Sequence, residues 1–182
     1  MGSDKQKDPL ARDSELPQHR LYLPEYRIAR GPVTNEQYKQ FVDTMGHRKP
    51  AYWEKGQIPK NKEKHPVVNV SWRDAIAFCE WAKVRLPTEA EWEKAARGTD
   101  GRIYPWGDEA PDKSRCNFNR EVGDTTPVGN YPKGASFYGC LDMAGNVWEW
   151  TQSLWGKDVR KPDFGYPYVA DDGRENLKAA EN

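Results

Sequence analysis

Two carboxylates, Asp142 and Glu149, bracket a Gly145-Asn146 turn within the run Asp142-Met143-Ala144-Gly145-Asn146-Val147-Trp148-Glu149-Trp150. Carboxylates and backbone carbonyls that converge on a tight turn make a hard-oxygen site of the kind Ca²⁺ prefers. The same residues have a plainer use, in which Glu149 holds turn amides and the tryptophans are core. Softer chemistry has less material. The cysteines are Cys79, Cys116 and Cys140, and no Cys-x-x-Cys occurs. They read as reduced, buried thiols of a cytoplasmic protein. The three histidines, His19, His47 and His65, share no metal-ligand spacing and read as surface residues. No Ser-His-Asp signature or phosphate-cradling Gly-Lys loop is present, and the formal sequon Asn69-Val70-Ser71 reads as chance.

Helices must position these groups, and their starts are visible. Thr34 is followed three residues later by Gln37, and Thr88 by Glu91, which fits a capping box; Ser71 with Asp74 is a looser version. Tyr38, Phe41, Val42 and Met45 then recur at helical spacing, and Gly46 ends that helix. Ala75, Ile76, Phe78, Cys79 and Ala82 pattern a second helix, and Trp92 with Ala95 and Ala96 a third that stops at Gly98. Leu21 to Arg30 alternates around Pro24 and predicts an edge-type strand. Residues 1–20 read as a loose N-terminal arm, with one domain over 21–182. Residues 99–150 predict a long ordered loop region, and 151–182 are polar and poorly patterned.

Bulk composition narrows the classes. The 182 residues suit one domain. Only 36% are apolar, yet 8 Trp, 9 Tyr and 5 Phe bring large buried areas, so aromatic clusters must close the core. Lys+Arg and Asp+Glu each number 28, which argues against nucleic acid or an anionic membrane as partner. No apolar run approaches a membrane span.

Four stretches carry the most specific signal: Val67-Val68-Asn69-Val70-Ser71-Trp72, Arg85-Leu86-Pro87-Thr88-Glu89-Ala90-Glu91-Trp92-Glu93, Tyr104-Pro105-Trp106-Gly107 and the run from Asp142 to Trp150. In order and spacing, over roughly residues 20–155, the chain resembles the formylglycine-generating-enzyme (sulfatase-modifying-factor) family. The resemblance implies an α+β, C-type-lectin-like fold, rich in loops and poor in regular secondary structure. It implies a calcium site with side-chain oxygens from Asp142 and Glu149 and carbonyls from Gly145 and Val147; the family more often has Asn where Asp142 stands. A second family calcium site resembles Asn117, the Phe118 carbonyl and Asp124, where an Asx-type turn closed by Asn117 is the alternative. The motif tryptophans Trp72, Trp92, Trp106, Trp148 and Trp150 are expected in the core rather than on a carbohydrate- or peptide-binding surface.

The chemistry of catalytic members lies further along. An Arg-Gly-Gly-Ser-Trp-like strand precedes two cysteines that hold Cu(I) and oxidise a substrate cysteine in a Cys-x-Pro-x-Arg context; a Gly-Phe-Arg strand closes the domain. Soft thiolates suit Cu(I), but no cysteine follows Trp150, and none of the three matches that pair. Copper is therefore unsupported, and no catalytic residue is assigned. The link around Trp81-Ala82-Lys83-Val84-Arg85 is also shorter than the family's, so the sequence reads as trimmed there and at its ends. The favoured expectation is a non-catalytic ligand-binding or display module with a protein or small-molecule partner, like the domains fused to bacterial kinases. The alternatives are a copper-dependent oxidase seen incompletely, and a structural domain of a larger chain. Iron-dependent joining of thiols to histidine derivatives lacks its expected histidine pattern.

Overall fold

The computed structural model describes residues 1–158 and 161–178. Three α-helices stand among loops, and all three begin where a hydroxyl can cap them. Helix α1 spans Asn35–Met45, α2 Trp72–Ala82 and α3 Glu89–Arg97. Thr34, Ser71 and Thr88 each accept from the backbone N–H three residues on, and Gln37, Asp74 and Glu91 reach back to the cap N–H. The Ser71–Asp74 pair closes as completely as the other two. Helix α1 ends at Gly46 with φ 62° and α3 at Gly98 with φ 68°, both in the left-handed half of φ that favours glycine.

The α+β expectation is met only in its coarser half. The chain is loop-rich, and the described residues contain three isolated bridges, with no extended ladder: Thr34 with Pro66, Tyr104 with Gly107, and Asp158 with Lys161. The strand predicted over Leu21–Arg30 does not form. A strand exists only through a partner, and from Leu21 to Ala29 no backbone group bonds to another backbone group among the described residues.

Packing proceeds through aromatics, as composition required. Tyr38, Phe41, Val42 and Trp53 are buried between α1 and α2, with Phe78 and Trp81 against them. Tyr38 lies edge-on to Phe41 at 5.3 Å and stacked on Phe78 at 5.7 Å, arrangements that add to area burial. A second cluster joins Ala95, Ala96, Cys140 and Met143, with Ile28 and Trp92 packed on it. It fixes the start of the Asp142–Trp150 run against α3.

The tryptophan expectation fails: Trp72, Trp92 and Trp106 are only half-buried, and the last two are exposed. Trp148 is 100% exposed and Trp150 50%, while Trp53, outside the motifs, is 3%. From the same run it is Met143 that packs in the core. His65 also departs from the surface reading. It is buried and its Nδ1 lies 2.9 Å from Thr125 Oγ1. Burial, and Lys62 beside it, hold its pKa below the usual imidazole value.

The arm of residues 1–20 is loop as expected, but it is tied down. The Met1 amine donates to the His19 carbonyl, and the Gly2 N–H to Glu93 Oε1 on α3 at 2.9 Å. The polar tail is anchored likewise. Arg174 is 2% exposed, forks onto Asp172 and lies 4.3 Å from the centre of the Tyr168 ring.

Asp74 is the charged hub of the α1–α2 side. It accepts from Arg48, Ser71 and His47 and is 5% exposed. The Arg48 guanidinium, then Ser71 and His47, hold its pKa far below the usual 3.8, outweighing burial. A carboxylate whose pKa is depressed by folding stabilises the fold above its unfolded value, and that contribution is lost as pH falls. Asp74→Asn therefore costs about 2 kcal/mol at pH 7, and the cost shrinks as pH drops below about 4. Thermal melts of parent and variant across pH 7 to 3 check this; a constant difference contradicts it.

Candidate functional site

The Asp142–Trp150 run forms one end of a cleft of about 840 Å³. Its other walls come from Glu25–Val33, Val67–Val70, the Phe78–Cys79 face of α2 and Val84–Pro87 before α3. Val67, Val70, Phe78, Leu86, Met143 and Val147 make the lining largely apolar.

One side chain holds the motif loop in shape. Asn146 Oδ1 accepts from the Thr126 N–H at 2.9 Å, and its Nδ2 donates to the Thr126 carbonyl at 3.1 Å. Its own N–H donates to the Asn117 carbonyl at 2.8 Å. Gly145 and Asn146 take φ 82° and 63°, a left-handed pair that glycine and asparagine tolerate best. Gly145 has a second reason to be glycine, since a Cβ there would sit 2.3 Å from the Asn117 carbonyl oxygen. Sequence reading passed over Asn146 for its neighbours, although an Asn after a Gly in a turn is the available signal.

The first expected ligand set is brought together in part. Asp142 is 8% exposed, and its Oδ2 accepts from the Gly129 N–H at 2.7 Å. Glu149 lies on the cleft wall with Oε2 accepting from Trp92 Nε1 at 3.1 Å. Glu149 is exposed as a residue, but crowding around its carboxyl, like the burial of Asp142, raises the pKa. Glu149 is pushed up to about 7 by lost hydration and then by the charge of Asp142, against the Trp92 hydrogen bond. No cation of the described residues acts on either group. The Gly145 carbonyl accepts from the Val147 N–H, and the Val147 carbonyl has no hydrogen-bond partner among the described residues. Asp142 is thus buried and Glu149 exposed beside it, and no group of three or more His, Cys, Asp or Glu side chains that could hold a metal ion occurs among the described residues.

The second expected set also converges, but its groups are already engaged. Asn117 Nδ2 donates to the Asp124 carbonyl at 2.8 Å, closing the loop. The Asp124 carboxylate pairs with Lys62 at 2.7 Å and accepts from the Thr125 N–H. The Phe118 carbonyl accepts from the Glu121 N–H. A cation there would have to displace an ammonium group.

Cys79, Cys116 and Cys140 are free and buried, as the sequence implied. Burial raises all three thiol pKa values.

Comparison with known proteins decides the family. The sulfatase-modifying factor enzyme 1-like domain matches residues 1–178. The chain belongs to this family. It is 36% identical to a hercynine oxygenase of Mycolicibacterium thermoresistibile over 84% of this chain and 41% of that protein. It is 41% identical to the serine/threonine-protein kinase pkn1 of Chlamydia pneumoniae over 79% of this chain and 25% of the kinase. It is 34% identical to a formylglycine-generating enzyme of Thermomonospora curvata over 83% of this chain and 67% of that enzyme. The chain thus spans about two fifths of the length of the hercynine oxygenase it matches. Among its described residues no helix is long and apolar enough to cross a membrane.

Asn146→Ala removes the acceptor that Thr126 uses and leaves buried loop amides unsatisfied. The expected loss is about 2 kcal/mol, read as a fall in Tm of about 6 °C. A melt within a degree of the parent would show that Asn146 does not hold the loop.

Proposed function

We propose that this part of the sulfatase-modifying-factor fold is a non-catalytic, calcium-ordered ligand-binding module. The observation that carries the reading is the cleft of about 840 Å³, whose apolar walls end at the Glu149 carboxylate. Sites for small molecules and apolar peptide segments have this make-up: a largely apolar concavity with a few placed polar groups. Calcium would be held by Asp142, Glu149 and the Gly145 and Val147 carbonyls. When bound it would supply positive charge to the buried Asp142 and the exposed Glu149 and so order the loop that closes the cleft. Asn117, Phe118 and Asp124 act in this reading as a loop clasp with Lys62 in the cation's place.

Burial of the three thiols supports the non-catalytic half. Cu(I) calls for a pair of thiolates, whereas burial pushes all three thiol pKa values up and no metal-holding group containing them occurs among the described residues. The described residues therefore do not fit copper, and no oxidation step is assigned to them. A second reading, a copper-dependent formylglycine-generating oxidase of protein cysteine, is favoured by the 34% identity to the Thermomonospora curvata enzyme. Service as one domain of a larger chain agrees with the match to a quarter of pkn1, and the cytoplasm is the compartment we propose for it.

Two measurements test these statements. Incubated with copper and a Cys-x-Pro-x-Arg peptide, the chain is expected to yield no aldehyde, and measurable aldehyde would establish the oxidase reading instead. Isothermal titration with calcium is expected to give one ion per chain, with binding abolished in Glu149→Gln and retained in Asp124→Asn. Loss in Asp124→Asn alone would place the ion in the other loop.

A further inference from the structure

The polar tail is fastened to α3 through hydroxyl groups set between carboxylates. Ser153 Oγ accepts from the Glu89 N–H at 2.8 Å, and its own hydroxyl donates to Glu175. The Tyr168 hydroxyl also donates to Glu175, and Gln152 Nε2 reaches it at 3.4 Å. The Tyr166 hydroxyl lies 2.8 Å from Glu89 Oε1 and 3.4 Å from Glu93 Oε2. A phenol has one proton to give, so it serves the nearer carboxylate, Glu89. Glu89, Glu93 and Glu175 are all half-buried, two on the helix and one on the tail.

The bases at this junction are committed elsewhere. Arg97 pairs with Glu93 at 3.0 Å, and Arg85 forks onto Glu91. Arg174 gives its hydrogen bonds to Asp172 and the Gly165 carbonyl. Its Nη1 lies 3.7 Å from Glu89 Oε2, beyond hydrogen-bond length. Glu89 is thus held by one neutral donor and a distant guanidinium, with Glu93 and Glu175 as like-charged neighbours. Lost hydration raises its pKa above the usual 4.5; Tyr166 and Arg174 oppose the rise, and Glu93 and Glu175 add to it.

We propose that Glu89 makes the junction of α3 and the tail a pH-sensitive clasp, which uncharged Glu89 tightens and charged Glu89 loosens. A neutral carboxyl removes one of the charges that repel across the junction and keeps an acceptor for the Tyr166 hydroxyl. A carboxyl whose folded pKa lies above its unfolded value holds its proton better in the folded state. The junction therefore gains as pH falls toward 4.5 and loses as pH rises through the folded value. The clasp rests on this junction alone and is independent of what the cleft binds.

Hydrogen exchange of the full chain, read by mass spectrometry on peptides covering residues 161–178, tests the proposal. Protection, corrected for the intrinsic pH dependence of amide exchange, is expected to be greater at about pH 5.5 than at about pH 7.5, by roughly twofold or more. Glu89→Gln keeps the shape without the charge and is expected to leave the tail equally protected at both pH values. Tyr166→Phe removes the hydrogen bond that favours charged Glu89 and is expected to move the loosening to higher pH. Peptides from α1, remote from the junction, should exchange alike in the parent and in Glu89→Gln, which keeps the readout on the tail. Equal protection of the parent's tail at both pH values, or a pH dependence that survives in Glu89→Gln, would overturn the proposal.

Discussion

A chain that folds with almost no strand pairing must still satisfy its backbone polar groups. Each buried N–H or C=O left without a partner costs as much as a lost hydrogen bond. Here side chains take over the work that ladders do elsewhere. Asn35 in α1 reaches the Lys62 carbonyl and accepts from Trp53, Asn117 reaches the Asp124 carbonyl, and Asn146 answers both groups of Thr126. Trp72 and Trp150 spend their indole N–H groups on the Thr151 and Val70 carbonyls. The abundance of Asn, Asp and Trp in the loops follows from this constraint. Such side chains are short or rigid enough to be held while they bond, so little conformational entropy is lost per bond formed.

The same constraint separates what could be read from the sequence from what could not. Helix starts were legible because capping is local: Thr34 with Gln37 and Thr88 with Glu91 need only three residues of context. Buried thiols and the α1 core face were legible through composition and period. The strand over Leu21–Arg30 was misread because alternation reports a half-buried segment and is silent on whether a partner exists. Trp148 was misread because motif tryptophans suggest a core, while exposure is set by the loop's path, which buries Met143 and leaves Trp148 outside. The site was half legible. Residue types pointed to Asp142 and Glu149, but Asn146 matters through Thr126, twenty positions away, and spacing within one motif cannot show that.

The elements meet at the cleft. Helix α3 supplies Trp92, whose indole N–H fixes Glu149, and Ala95 and Ala96, which hold Met143 and thereby the start of the motif loop. Gly145 lets that loop touch the Asn117 carbonyl, and so joins it to the loop that Lys62 and Asp124 close. The two expected ion sites thus share a seam, Asn146 against Asn117 and Thr126, and neither loop can move far without the other.

That seam gives electrostatics a mechanical reach. Asp142 is buried and Glu149 lies exposed beside it, both with raised pKa, and no cation of the described residues offsets them. In the proposed calcium-bound form a divalent cation would draw the carboxylates and carbonyls together. Under the proposed reading, calcium need not touch a cleft ligand to control its binding. It would set the position of Val147 on the wall, and through Asn146 the stiffness of both loops.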